Sequence, residues 1–106
     1  MFAQCVIACL LSWTGPSDLA LVSMYSSFET CPNEECITAS GEIAGLDTLA
    51  CPRELPFWTP VMIDKVYACL DRTAPKYNYR YDIFNGNDWQ GAVNFGVRER
   101  LITIIK

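Results

Sequence analysis

The chain is expected to fold as one small, mainly β domain: a closed barrel of about six short strands with one short helix. Three observations point there. Runs of β-branched and aromatic residues recur at short intervals, divided by Gly, Pro and Asn turns, as in small barrels. The 106 residues are 51% hydrophobic and 19% charged, which suits one packed domain. Closure into a barrel also removes the pairing-prone edges that so small a sheet would otherwise present.

The elements follow in chain order. Phe2 to Trp13 is an apolar run that ends at T14-G-P-S17. Its length suits the h-region of a secretory signal better than a membrane span, which needs about 20 apolar residues. No Lys or Arg precedes the run, and Asp18 spoils the cleavage pattern, so a buried N-terminal helix or strand competes with that reading. Residues 1–20 are accordingly set apart as a leader or apolar extension, and residues 21–106 as the barrel domain. Leu19 to Ser27 alternates as a first strand. Phe28 to Cys36 is polar and turn-rich, a surface loop. Ile37 to Gly41 reads as a short strand ending in small residues, where a ligand could come close to the backbone and Thr38 could hydrogen-bond to it. Leu46 to Cys51 is a strand stopped by Pro52, and Pro56 to Pro60 a rigid turn.

Val61 to Leu70 contains two strand pieces around a hairpin tip at Asp64-Lys65. Val66–Leu70 and Tyr79–Phe84 are two strands joined by a Pro- and Asn-bearing loop. Asn85 to Asp88 is a turn and helix cap. The helix over Trp89–Phe95 takes Asn87 or Asp88 as N-cap and Gly96 as its stop, and Gly91 weakens it. Trp89, Ala92, Val93 and Phe95 share a face, with Trp89 and Phe95 as core anchors. Arg98 to Lys106 ends in an apolar run and reads as a buried, central strand.

Composition narrows the chemistry. A net charge of −4 with no clustered Lys or Arg argues against nucleic acid and against an anionic membrane surface. The absence of histidine removes Ser-His-Asp and Cys-His catalysis and His-bearing zinc sites. No C-x-x-C spacing supports a zinc site either, so no metal or cofactor is implied. Cys5, Cys9, Cys31, Cys36, Cys51 and Cys69 make an even number in a short chain, which suits an oxidising compartment; six cysteines allow 15 pairings, among them a small loop closed by Cys31 and Cys36.

Carboxylates remain as acid/base groups. Residues two apart in a strand share a face, so Asp71 is expected beside Tyr67 and Cys69, and Asp82 beside Arg80 and Phe84. Two acids that converge in a cleft repel each other and lose solvent, which makes one of them a proton donor near neutral pH; Arg80 opposes this by favouring ionised Asp82.

In this order T38-A-S-G41, L49-A-C-P52, L55-P-F-W-T-P-V61, V66-Y-A-C-L-D-R72, R80-Y-D-I-F84 and F95-G-x-R98 resemble the successive motifs of the 3D (Asp-Asp-Asp) domain family. The resemblance spans roughly Leu21 to Lys106. That family is similar to the catalytic barrel of certain lytic transglycosylases, so the resemblance implies a six-stranded double-psi β-barrel and cleavage of the peptidoglycan glycan strand. It puts Asp71 and Asp82 on the family's second and third aspartates. The first family aspartate is replaced here by Cys51, and a glycine usual before the turn threonine by Trp58. Under this resemblance Asp82 is the acid/base, Asp71 holds its geometry, and Thr38, Tyr67 and Arg80 contact the sugar. The localisation implied is secreted or cell-envelope, in a cell or encoded by a phage. Two rival readings remain: a non-catalytic carbohydrate-binding barrel that stacks sugars on Tyr67, Tyr77, Tyr79 and Trp58, and a structural or interaction domain stapled by disulfides.

Overall fold

The computed structural model describes residues 14–27, 31 and 35–105. The apolar run Phe2–Trp13, with Cys5 and Cys9, lies outside the described residues, as do residues 28–30 and 32–34 of the Phe28–Cys36 loop.

Six strands close into a barrel: β1 (Thr14–Tyr25), β2 (Thr48–Cys51), β3 (Pro60–Met62), β4 (Val66–Arg72), β5 (Tyr81–Phe84) and β6 (Arg98–Ile105). Around the ring they run β1-β5-β2-β4-β3-β6. The β1/β5 and β2/β4 pairs are parallel and the other four antiparallel. Among consecutive strands, β3 and β4 alone are ring neighbours. The chain from β4 to β5 steps over β2, and the chain from β5 to β6 steps over β1. This is the expected closed six-stranded barrel with one short helix.

Alternation fills the interior. Val22, Leu49, Cys51, Val61, Tyr67, Cys69, Tyr81, Ile83 and Ile102 form one buried cluster, drawn from all six strands. A barrel of this size has room inside for side chains and little else. The Cys51–Cys69 disulfide crosses from β2 to β4 within that cluster, with Cα atoms 5.7 Å apart and a separation of 18 residues. In the chain-entropy picture such a link contributes about 3 kcal/mol by constraining the unfolded chain. Cys31 and Cys36 form the small-loop disulfide.

The hairpin tip falls where expected: Met62 pairs with Val66, and Ile63 N donates to Lys65 O. Pro60 stands at the first residue of β3, where a missing N–H is tolerated. The Pro56–Pro60 turn holds Trp58 at φ 71°, a left-handed conformation ordinarily left to glycine. Helix α1 (Trp89–Phe95) is capped by Asp88, whose carboxylate accepts from Gly91 N, and stops at Gly96 with φ 65°. A side chain at Gly91 would take the space of that carboxylate, so this glycine admits the cap.

Several expectations need correction. Ile37–Gly41 is not a strand: a lone bridge joins Ile37 to Ile43 around a tight turn, in which the Thr38 hydroxyl bonds to Ser40 Oγ and Glu42 O. Such hydroxyls offer the backbone an alternative to a ladder. Strand β5 begins at Tyr81 rather than Tyr79, because Pro75–Tyr77 forms a 3₁₀ turn and Arg80 N donates back to Tyr77 O. Strand β6 is paired on both sides, yet its outer face meets solvent; Leu101 is 58% exposed and Ile102 supplies its buried contact. Trp89 is 45% exposed, so Ala92 and Phe95, not Trp89, anchor α1. The Gly15-Pro16-Ser17 punctuation lies within β1, at a register irregularity between Thr14 and Ser17.

Candidate active site

Four neighbouring strands present a row of cross-strand partners. Ser23 of β1 pairs with Asp82 of β5, Asp82 with Ala50 of β2, and Ala50 with Asp71 of β4. Partners in register share a face. Leu49 and Cys51 point into the barrel, so Ala50 and its row face outward. Two strand spacings of about 4.8 Å separate the aspartate backbones, with only the Ala50 methyl between them.

A bulge puts Asp71 in that row. Leu49 pairs with Cys69 but Ala50 pairs with Asp71, so Leu70 is an extra residue on β4. Strict alternation would have left Asp71 on the inward face with Tyr67 and Cys69, as the sequence suggested. The extra residue turns it outward, a re-aiming of a side chain that bulges commonly perform. The carbonyl of Leu70 accepts from Ser40 N.

Around the row lies a cavity of about 310 Å³, at the lower end of the range for ligand pockets. Ala50, Asp71 and Asp82 of the row line it together with Tyr25, and Arg72, Thr73, Ala74, Tyr77 and Arg80 complete the lining. Asp71 is held by three donors: Tyr25 Oη to Oδ2 at 2.9 Å, Ala39 N to Oδ1 at 3.0 Å and Arg72 N to Oδ1 at 2.9 Å. Asp82 Oδ1 accepts from Ser23 Oγ at 2.9 Å. Burial pushes the Tyr25 phenol well above its ordinary 10.0, and the charge and hydrogen bond of Asp71, then the charge of Asp82, add to the rise. Tyr25 is therefore a fixed proton donor lying in the field of both acids. Its ring is braced edge-on by Phe84, with centroids 5.3 Å apart.

The cationic side is built by stacking. The Arg80 guanidinium lies 3.9 Å over the Tyr77 ring, and that of Arg72 lies 4.1 Å over Phe57. Stacking spends the face of a guanidinium and leaves its in-plane N–H groups for ligands. Arg72 Nη1 reaches Pro52 O at 3.4 Å.

Of the residues expected at the site, Asp71, Asp82 and Arg80 come together. Thr38 does not line the cavity; it closes the turn whose next residue, Ala39, donates to Asp71. Tyr67 is buried in the barrel, with its hydroxyl on Asp64 at 2.8 Å. Sequence reasoning missed Ser23, Tyr25, Ala50 and Thr73. The signal for the first two was available in the alternation of β1, where Ser23 and Tyr25 interleave with core Val22 and Met24 and so mark a polar outer face.

Geometrically, the site can hold a polar ligand between two carboxylates and two guanidinia over an aromatic ring. Among the described residues no group of His, Cys, Asp or Glu is arranged to hold a metal ion. No helix among them is long and apolar enough to cross a membrane. No protein-family model matches the chain, and a search of the curated proteins finds no similar sequence.

Proposed function

We propose that the chain cleaves the glycan strand of peptidoglycan as a lytic transglycosylase, at the β-1,4 bond between N-acetylmuramic acid and N-acetylglucosamine. The observation that carries this reading is the convergence of Asp71 and Asp82, eleven residues apart in sequence, on one cavity through the register of β4, β2 and β5. The ordered 3D-domain-like motifs of the sequence lend it support. The two disulfides suit the oxidising surroundings in which a secreted or envelope protein would meet this substrate.

In this mechanism Asp82 gives a proton to the glycosidic oxygen as the bond to the anomeric carbon breaks. The sugar's own 6-hydroxyl then closes on that carbon, returns its proton to Asp82 and leaves a 1,6-anhydro end. One carboxyl serves both halves, so the usual pair of glycosidase carboxylates is unnecessary. Asp71 is committed to three donors and acts as the positioning residue, tying β1 and the Thr38–Gly41 turn to β4.

A second reading has its own observation. Cys51, which the resemblance sets where the family has its first aspartate, is buried in the disulfide with Cys69 and offers no third acid. A non-catalytic glycan-binding barrel would need only the stacked Tyr77 and the polar groups around it. Incubation with peptidoglycan followed by mass spectrometry separates the two. Anhydro ends from the wild type and none from Asp82→Asn support cleavage. No product, with retention on peptidoglycan, supports the binding barrel.

A further inference from the structure

Thr73 is 6% exposed, lines the cavity, and its Oγ1 has no hydrogen-bond partner among the described residues. A buried hydroxyl without a partner is costly, so in a native protein such a group calls for an explanation, which a water, an ion or a ligand can supply. The second observation is independent. Arg80 lines the same cavity and is held by its stack on Tyr77, and no hydrogen bond or carboxylate contact of its guanidinium occurs among the described residues. Its in-plane donors are pre-oriented and open. By contrast Asp71 is filled by three donors, and Arg72, stacked on Phe57, already spends one N–H on Pro52 O.

We infer that Thr73 and Arg80 form a carboxylate-recognising subsite beside the aspartate pair, so that the ligand is an acidic saccharide bearing a free carboxylate. The inference rests on the glycan reading above and narrows it to strands whose N-acetylmuramic acid carries no peptide, so that its lactyl carboxylate is free. A carboxylate is the group that both donors suit: a planar guanidinium edge pairs with its two oxygens, and a hydroxyl donates to one of them. A neutral sugar offers the Arg80 guanidinium no opposite charge. The two aspartates do not forbid an anion, because Asp71 already faces three donors and Asp82 accepts from Ser23 Oγ, while Arg80 brings a positive charge to the same lining.

The test uses Asp82→Asn protein, so that binding is read without turnover. Calorimetry compares an oligosaccharide of alternating N-acetylglucosamine and N-acetylmuramic acid, its lactyl carboxylate free, with the same oligosaccharide as its methyl ester. The free acid should bind at least about tenfold more tightly than the ester. Adding Thr73→Val or Arg80→Gln should abolish most of that difference, with binding of the free acid falling much further than binding of the ester. Thr73→Val should also unfold no earlier than its parent, since it removes an unpaired buried hydroxyl, and this shows that a binding loss is not a folding loss. Equal binding of acid and ester overturns the subsite and leaves the glycan reading standing. Binding of neither, together with no anhydro product from the wild type, overturns both.

Discussion

Two tyrosine–aspartate hydrogen bonds sit toward opposite ends of β4, and they differ in what surrounds them. At the hairpin end Tyr67 donates to Asp64 at 2.8 Å, and Lys65 lies 5.1 Å over the Tyr67 ring. At the other end Tyr25 donates to Asp71 at 2.9 Å. Both phenols are raised above 10.0, first by burial and then by their aspartates. Yet Asp64 is exposed on a turn between two neighbouring strands, whereas Asp71 stands in a row across four strands, beside a cavity that a second acid, a phenol and two guanidinia also line. The pair itself is common chemistry; convergence from separate strands is what makes a candidate site.

The largest effect should separate the two ends by activity. Asp82→Asn should lower release of anhydro ends by about 10²- to 10⁴-fold, the usual scale of general acid/base assistance. Asp64→Asn, which disturbs an aspartate of the hairpin end, should leave release within about twofold of wild type. Equal losses from both would mean that the cavity end has no special chemical role.

Next in size is stability. Tyr25→Phe removes one of three donors from a partly buried carboxylate and should cost about 2 kcal/mol in denaturant unfolding. Tyr67→Phe leaves its aspartate to water and should cost about 1 kcal/mol. Activity should fall with Tyr25→Phe and hold with Tyr67→Phe, since only the first phenol fixes a group of the cavity.

How much of this was legible in the sequence depends on what kind of signal each feature leaves. The closed barrel, the Asp88 cap, the Gly96 stop and the Asp64-Lys65 tip were readable because period, cap chemistry and turn chemistry are local. The meeting of Asp71 with Asp82 was anticipated, but from the wrong faces: alternation assigned Asp71 to Tyr67 and Cys69, and a single bulged residue, Leu70, reversed it. A bulge in a parallel pair depends on the partner strand β2, so β4 alone carries no mark of it. Thr38 was sought as a ligand contact and braces a turn instead, because its neighbours Ser40 and Glu42 are close enough to take its hydroxyl. Thr73 was not separable from an ordinary loop residue, whereas Arg80 was expected beside Asp82; what the sequence did not show is the 3₁₀ turn at Pro75–Tyr77 that lays Tyr77 under its guanidinium.

Alkaline pH probes both ends together. Tyr25, Tyr67 and Tyr81 are all raised from 10.0, so the folded state holds their protons more tightly than the unfolded state does. Their contribution is fully present below about pH 10 and is lost as pH climbs beyond it through the folded values. Denaturation midpoints measured from pH 8 to 11 should be flat at first and then fall. Tyr25→Phe and Tyr67→Phe should each make the fall shallower, and together more so, because the ends lie far enough apart for their effects to add.

The smallest expected effect belongs to the hairpin end alone. Lys65 Nζ meets Asp47 Oδ1 at 2.7 Å, and both side chains are well exposed. An exposed ion pair contributes little once the ordering of two long side chains is set against it, so Lys65→Met should cost about 0.5 kcal/mol or less, and less still in high salt. Arg80 at the other end is also a cation over a tyrosine ring, but its ring-to-charge distance is 3.9 Å against 5.1 Å for Lys65, and a cavity adjoins it. Arg80→Gln should therefore change ligand binding while leaving the unfolding midpoint nearly in place, and Lys65→Met should change neither binding nor activity. A salt-dependent loss of binding from Lys65→Met would place the functional cation at the hairpin end and remove the distinction between the two tyrosine–aspartate pairs.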